Sequence, residues 1–338
     1  MPRNGGWSRL GSSGRFRYVD ARGNAITDAD KLERIRALVI PPAWKDVWIA
    51  PGPRAKLQAT GVDAAGRRQY LYHADFRAQQ EQAKFDKLIR FAEKLPDLRA
   101  ATSEHMGREE LDRLRVSAIA TRLINAGWFR VGSERYAKES RTYGITTLRK
   151  SHVHVRGERL AFDFVGKHRT VVRTTLVDKE LAANVKELCD LPGGRRVFRY
   201  ESEPGRCNLT GARLNDYVRE YLGDDFTAKD FRTWGGTLIA AIALAEHGPA
   251  ESESAAKKVI PAVMRRVGNE LGNTPAVARS SYVSPAVIEQ YLDGRTIEDF
   301  RPRHLRVVRA RDAGLDQEEQ ALLSLLRSWK IRQSQAAA

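Results

Sequence analysis

Apolar residues alternate with polar ones early in this chain and recur at three- and four-residue spacing after about residue 76. Residues 16–20 and 24–27 read as strands flanking Ala21-Arg22-Gly23, a hairpin signal, and Asp28 offers a side-chain cap to a helix over 29–38 that Pro41-Pro42 stops. A short strand is predicted around Val47-Trp48-Ile49. Residues 56–60 and 67–73 then bracket a Gly-Val-Asp-Ala-Ala-Gly connection, again strand, turn, strand. In the second of these, Arg67, Gln69 and Leu71 share one face and Arg68, Tyr70 and Tyr72 the other. Helical spacing covers 76–94 and 107–126, with a break predicted at Pro96-Asp97 and Ala101-Thr102-Ser103-Glu104. Three strands follow at 152–156, 159–164 and 169–174, with turns at Gly157 and Gly166-Lys167, so Lys167 sits at a hairpin tip. Helices are predicted near 179–189, 210–222, 229–246, 252–271, 284–292 and 316–332. The expected fold class is α+β. A β-rich amino-terminal domain spans 1–78, with a boundary as late as 98, and a larger, mostly helical domain spans 79–338 and contains the three-stranded insertion.

Composition narrows the function. The 338 residues carry 58 Lys plus Arg against 42 Asp plus Glu, a net charge of +16. The excess is spread along the chain, +7 over residues 1–78 and +9 over 79–338, so the expected partner is a polyanion touched by both parts. Two cysteines, Cys189 and Cys207, provide neither a disulfide framework nor a zinc module. The start lacks an apolar signal core and the longest apolar run, 238–245, is too short to cross a bilayer, so a cytoplasmic, nucleoid-associated protein with no membrane contact is expected. There is no G-x-x-x-x-G-K-[ST] and no G-x-G-x-x-G, which argues against an ATPase. The one tight histidine pair, His152 and His154, is placed on one strand face without an obvious third ligand, so no metal and no cofactor are expected. What remains is arginine, lysine and tyrosine. That set suits a phosphodiester, whose pentacoordinate transition state concentrates negative charge that guanidinium forks stabilise.

The residues resemble those of the small type IB DNA topoisomerases, the bacterial and poxvirus-like form, over almost the whole length. The early markers are Ile40-Pro41-Pro42-Ala43-Trp44-Lys45-Asp46-Val47-Trp48-Ile49 and Gly66-Arg67-Arg68-Gln69-Tyr70-Leu71-Tyr72-His73. The later ones are Phe129-Arg130-Val131-Gly132, Phe164-Val165-Gly166-Lys167, Lys229-Asp230-Phe231-Arg232-Thr233, and Leu271-Gly272-Asn273-Thr274-Pro275 leading to Ser281-Tyr282. The resemblance implies a clamp around double-stranded DNA, acting as a monomer. Tyr282 would be the nucleophile, leaving a 3′-phosphotyrosyl link and a free 5′-hydroxyl. Arg130 and Arg232 would hold the non-bridging oxygens, and Lys167 would protonate the departing oxygen. Asn273 would hydrogen-bond a non-bridging oxygen where many relatives carry histidine, and Lys229 would assist proton transfer.

The same resemblance puts Gln69 and Tyr70 toward the major groove with Arg67 and Tyr72 nearby, and Arg135, Tyr136 and Lys138 on phosphates of the scissile strand. Trp44 and Trp48 read as packing residues. The alternative in the same chemical class is a tyrosine recombinase. Those enzymes generally carry H-x-x-R, where this chain has Lys229-Asp230-Phe231-Arg232.

Overall fold

A computed structural model describes residues 5–12, 15–203, 205–250, 252–301 and 314–336. The chain divides into two compact units, Met1–Lys84 and Phe85–Ala338.

The first unit is built on a five-stranded antiparallel sheet of β1 (Trp7–Leu10), β2 (Arg17–Val19), β3 (Lys45–Ile49), β4 (Leu57–Val62) and β5 (Arg68–Tyr72), in the order β2-β1-β3-β4-β5. Helix α1 (Ala29–Ala37) begins where expected, because Asp28 accepts the Lys31 N–H at 3.0 Å. The small core gathers Trp7, Ile35, Val47, Ile49 and Ala59, with Trp44 and Leu71 packed against it. The main partner of β2 is β1, which the sequence pattern did not single out. Only an isolated bridge joins Val19 to Ala25, because the Asp20 carboxylate accepts the Arg22 and Asn24 N–H groups and rounds the chain into a turn.

Helix α2 (Ala74–Met106) is one uninterrupted helix, and the predicted break at 96–104 does not occur. Leu88, Phe91, Leu95, Leu98 and Met106 form a continuous buried stripe across Pro96. Thr102 is also buried, its hydroxyl donating to the Arg99 carbonyl, so the polar stretch continues the helix.

The second unit is mostly helical. Helix α3 (Arg113–Gly127), capped by Asp112, is followed by the short α4 (Glu134–Glu139). A three-stranded sheet of β6 (Val153–Arg156), β7 (Arg159–Val165) and β8 (Val171–Val177) comes next, as the alternation predicted. His152 lies in the turn before β6, its ring tilted against Tyr143 with centroids 4.5 Å apart, so it does not share a strand face with His154. Helix α5 (Lys179–Asp190) leads to the β9 (Arg199–Ser202) and β10 (Gly205–Asn208) hairpin, which sequence periodicity missed. Five helices follow: α6 (Gly211–Leu222), α7 (Ala228–His247), α8 (Glu253–Leu271), α9 (Pro275–Ser281) and α10 (Pro285–Leu292). The last element is α11 (Gln317–Ala336). Helix α7 is buried on nearly every side and forms the axis of this unit.

Candidate active site

Arg232 stands in the second turn of α7 and is 5% exposed. Its Nη1 donates to the Trp128 carbonyl at 2.5 Å and its Nη2 to the Leu271 carbonyl at 2.7 Å, while Nε is buried without a partner among the described residues. Trp128 serves this contact by closing α3 in the left-handed conformation, φ 49°, rare for so large a residue. Its indole lies against Gly235, where an added Cβ would fall 2.3 Å from Nε1.

The next glycine admits Tyr282. A Cβ at Gly236 would meet the Tyr282 Cβ and carbonyl oxygen at 2.9 Å. Tyr282 caps the C-terminus of α9. The buried Thr237 hydroxyl lies 3.1 Å from its carbonyl oxygen and accepts the Ser284 N–H at 3.1 Å, fixing the backbone on both sides of the phenol. The Arg232 guanidinium carbon stands 5.1 Å from the centre of the Tyr282 ring. Two glycines inside an apolar helix each cost about 1 kcal/mol of helix propensity, and here they let a tryptophan and a tyrosine approach the helix backbone at adjacent positions.

Arg130 follows α3 in an extended segment and is half-buried. One Nη donates to the Gly272 carbonyl at 3.0 Å and to Asn273 Oδ1 at 2.7 Å. The Asn273 amide nitrogen donates to the Leu271 carbonyl at 3.2 Å, which orients its oxygen toward Arg130. Arg130 and Arg232 line one cavity of about 230 Å³, together with Trp128, Tyr143, Leu271 and Gly272. Burial, and then the Arg232 charge, bring Arg130 down to about 10, so it remains a cation at neutral pH. Burial also lowers Arg232. Burial would raise the Tyr282 phenol, but Arg232, then Arg130 and Lys229, outweigh it and hold the phenol below its ordinary value. The arrangement can ionise a phenol and accept a doubly oxygenated anion beside it.

The chain is matched by the family model for the catalytic core of eukaryotic DNA topoisomerase I over residues 73–301, and by that for the N-terminal domain of bacterial DNA topoisomerase IB over residues 15–63. It is 32% identical over 288 residues to DNA topoisomerase 1B of Acanthamoeba polyphaga mimivirus, covering 83% of this chain and 85% of that one. The chain belongs to the type IB DNA topoisomerases. More distant relatives are DNA topoisomerase I of monkeypox virus, 22% identical over 70% of this chain and 73% of the relative, and DNA topoisomerase 1 beta of Arabidopsis thaliana, 24% identical over 51% and 18%.

Of the site residues expected in this topoisomerase, Arg130, Arg232, Asn273 and Tyr282 converge from three stretches of chain. Lys229 lies one turn before Arg232, exposed, with its charge felt by the phenol. Lys167 is exposed at the β7–β8 tip. Gly166 and Thr170 on either side of it line the cavity, and His168 and Arg169 beside it are both left-handed, φ 60° and 59°. Arg135, Tyr136 and Lys138 are exposed on α4, where Arg135 pairs with Glu139 at 2.9 Å. In the first unit Tyr70 and Tyr72 are exposed with rings 6.2 Å apart and nearly parallel, whereas Arg67 and Gln69 both bind Asp63. The sequence reading missed Trp128 and the two carbonyls that hold Arg232. The one readable signal for this packing was the pair Gly235-Gly236 inside an apolar helical stretch, a mark of close backbone approach.

Proposed function

We propose that this topoisomerase binds double-stranded DNA and relaxes supercoils of either sign by cutting and resealing one strand through Tyr282. The observation that carries this reading is the phenol packed against the Arg232 guanidinium, which with Arg130 lines one cavity. The Tyr282 oxygen attacks a backbone phosphorus, the bond to the 5′-oxygen breaks, and a 3′-phosphotyrosyl ester forms. One phosphodiester replaces another, so the bond energy is retained and resealing requires no ATP. Arg130 and Arg232 stabilise the charge on the non-bridging oxygens. Removing one comparable donor lowers rates by about 10²–10³. Asn273, already bonded to Arg130, turns to the same oxygens as a neutral donor.

Lys167 donates a proton to the leaving 5′-oxygen, with its hairpin tip carrying it to the cavity that Gly166 and Thr170 border. Lys229 adds positive charge near the phenol. Tyr70 and Tyr72, and Arg135, Tyr136 and Lys138, contact the duplex outside the site, Arg135 exchanging Glu139 for a phosphate. The enzyme acts as a monomeric clamp in the cytoplasm on nucleoid DNA. Among the described residues no helix is long and apolar enough to cross a membrane.

The test is relaxation of a supercoiled plasmid with chelator present and ATP omitted, followed by denaturation to trap protein on DNA. Wild type should relax the plasmid and leave an adduct mapping to Tyr282. Tyr282→Phe should bind DNA and leave none, and an adduct surviving in that variant would refute the nucleophile.

A further inference from the structure

Tyr143 lines the cavity with Arg130 and Arg232, and the cleavage chemistry above does not use it. Its place beside Arg130 is set by the backbone. Ile145 and Thr146 donate their N–H groups to the Arg130 and Val131 carbonyls, both at 2.8 Å. Between them and Tyr143 stands Gly144, where an added Cβ would fall 2.4 Å from the Arg130 carbonyl oxygen, so only glycine lets the two segments lie this close. On the other side the Tyr143 N–H donates to the Val165 carbonyl at 2.8 Å, one residue before Gly166, which borders the same cavity.

The ring is held as firmly as the backbone. The Arg149 guanidinium carbon stands 5.1 Å from its centre, and the His152 ring lies tilted against it with centroids 4.5 Å apart. His152 Nδ1 accepts the Arg149 N–H at 3.2 Å, which fixes the turn that carries both residues. Burial, and then the Arg149 charge, hold His152 below its ordinary value, so at neutral pH it packs as an uncharged ring. A phenylalanine would make every one of these contacts. What they leave over is the hydroxyl. Among the described residues nothing hydrogen-bonds to it, and it is not sealed in the interior, so it opens on solvent at the cavity wall.

We propose that Tyr143 is a further catalytic residue, its hydroxyl donating a hydrogen bond to a non-bridging oxygen of the scissile phosphate while Arg130 and Arg232 hold the same group. Its own proton stays in place throughout, because it acts only as a donor. A neutral donor suits this position. The Arg232 charge already works against Arg130, and a third buried cation would add to that repulsion and to the desolvation cost, whereas a phenol adds neither. The inference rests on the cleavage reading above.

The decisive variant is Tyr143→Phe, which removes one oxygen and keeps the ring contacts. Cleavage and religation by the full chain are measured in single turnover on a duplex with an ordinary scissile phosphate, and on two duplexes in which one or the other non-bridging oxygen is replaced by methyl. On the ordinary phosphate the variant should be slower in both directions by the same factor, about tenfold or more, at unchanged DNA affinity, because the donor acts on the transition state that both directions share. The gap should persist on one methyl stereoisomer and vanish on the other, which lacks the contacted oxygen. A wild-type rate in Tyr143→Phe, or a gap of equal size on both stereoisomers, overturns the proposal. If neither stereoisomer is cleaved, the ordinary phosphate decides, and weakened DNA affinity at an unchanged rate overturns it too. Failure of the cleavage reading is a separate result, the lack of any Tyr282-dependent adduct in wild type.

Discussion

Two guanidinium groups and a phenol share one site, and the order in which they change charge sets the response to pH. Tyr282 sits below its ordinary value because Arg232 and Arg130 outweigh its burial, so its anion grows in as pH rises toward about 10. Arg130 is brought down to about 10 by burial and by the Arg232 charge, so its own proton loss is centred there. Single-turnover cleavage is therefore expected to rise with pH through the neutral and mildly alkaline range and to fall beyond about 10, giving a bell whose descending limb belongs to Arg130. Rates measured on a suicide substrate check this, and a rate still climbing past about pH 11 would show that Arg130 keeps its proton there. At this scale the sequence was informative about identity and silent about partners. The motif around Arg130 was readable. Its bond to Asn273 was not, because 143 positions separate the two and only the fold brings them together.

Helix α7 shows how an element turns composition into placement. Its glycines at 235 and 236 leave space that the Trp128 indole and the Tyr282 backbone fill. Gly236→Ala gains intrinsic helix propensity, about 1 kcal/mol, yet puts a methyl 2.9 Å from Tyr282. The expected outcome is a melting temperature within a few degrees of wild type and adduct formation slowed at least about tenfold, read by calorimetry and single-turnover cleavage. A wild-type cleavage rate would show that the phenol tolerates the shift. Most elements were legible because their faces are amphipathic, as with the alternation in β6 to β8 and the capped starts of α1 and α5. The failures have local causes. Pro96 was read as a stop, although the buried stripe of α2 runs across it, and α4 and α9 span too few residues to display a period.

Across the second unit, burial joins distant parts of the chain through a few polar anchors. Glu319, on α11, accepts both Arg99 Nη groups at 2.7 Å and the Trp234 indole N–H at 3.1 Å, tying α2, α7 and α11 together two residues beyond Arg232. The carboxylate is almost fully buried, so Glu319→Gln leaves a buried guanidinium without its counter-charge and should lower unfolding free energy by about 3–5 kcal/mol in urea titrations. A loss under about 1 kcal/mol would mean that water replaces the carboxylate. The place of α11 in the chain has a consequence for synthesis. Every residue of the site precedes Arg301, yet Leu322, Leu326 and Trp329, which help close the core over α7 and α10, come later. A nascent polypeptide that has emerged from the ribosome only through Tyr282 is thus expected to be unable to cleave DNA. A chain ended at residue 301 should leave no adduct, so the cell meets a competent cutter only once α11 has been delivered and wedged over α7 and α10.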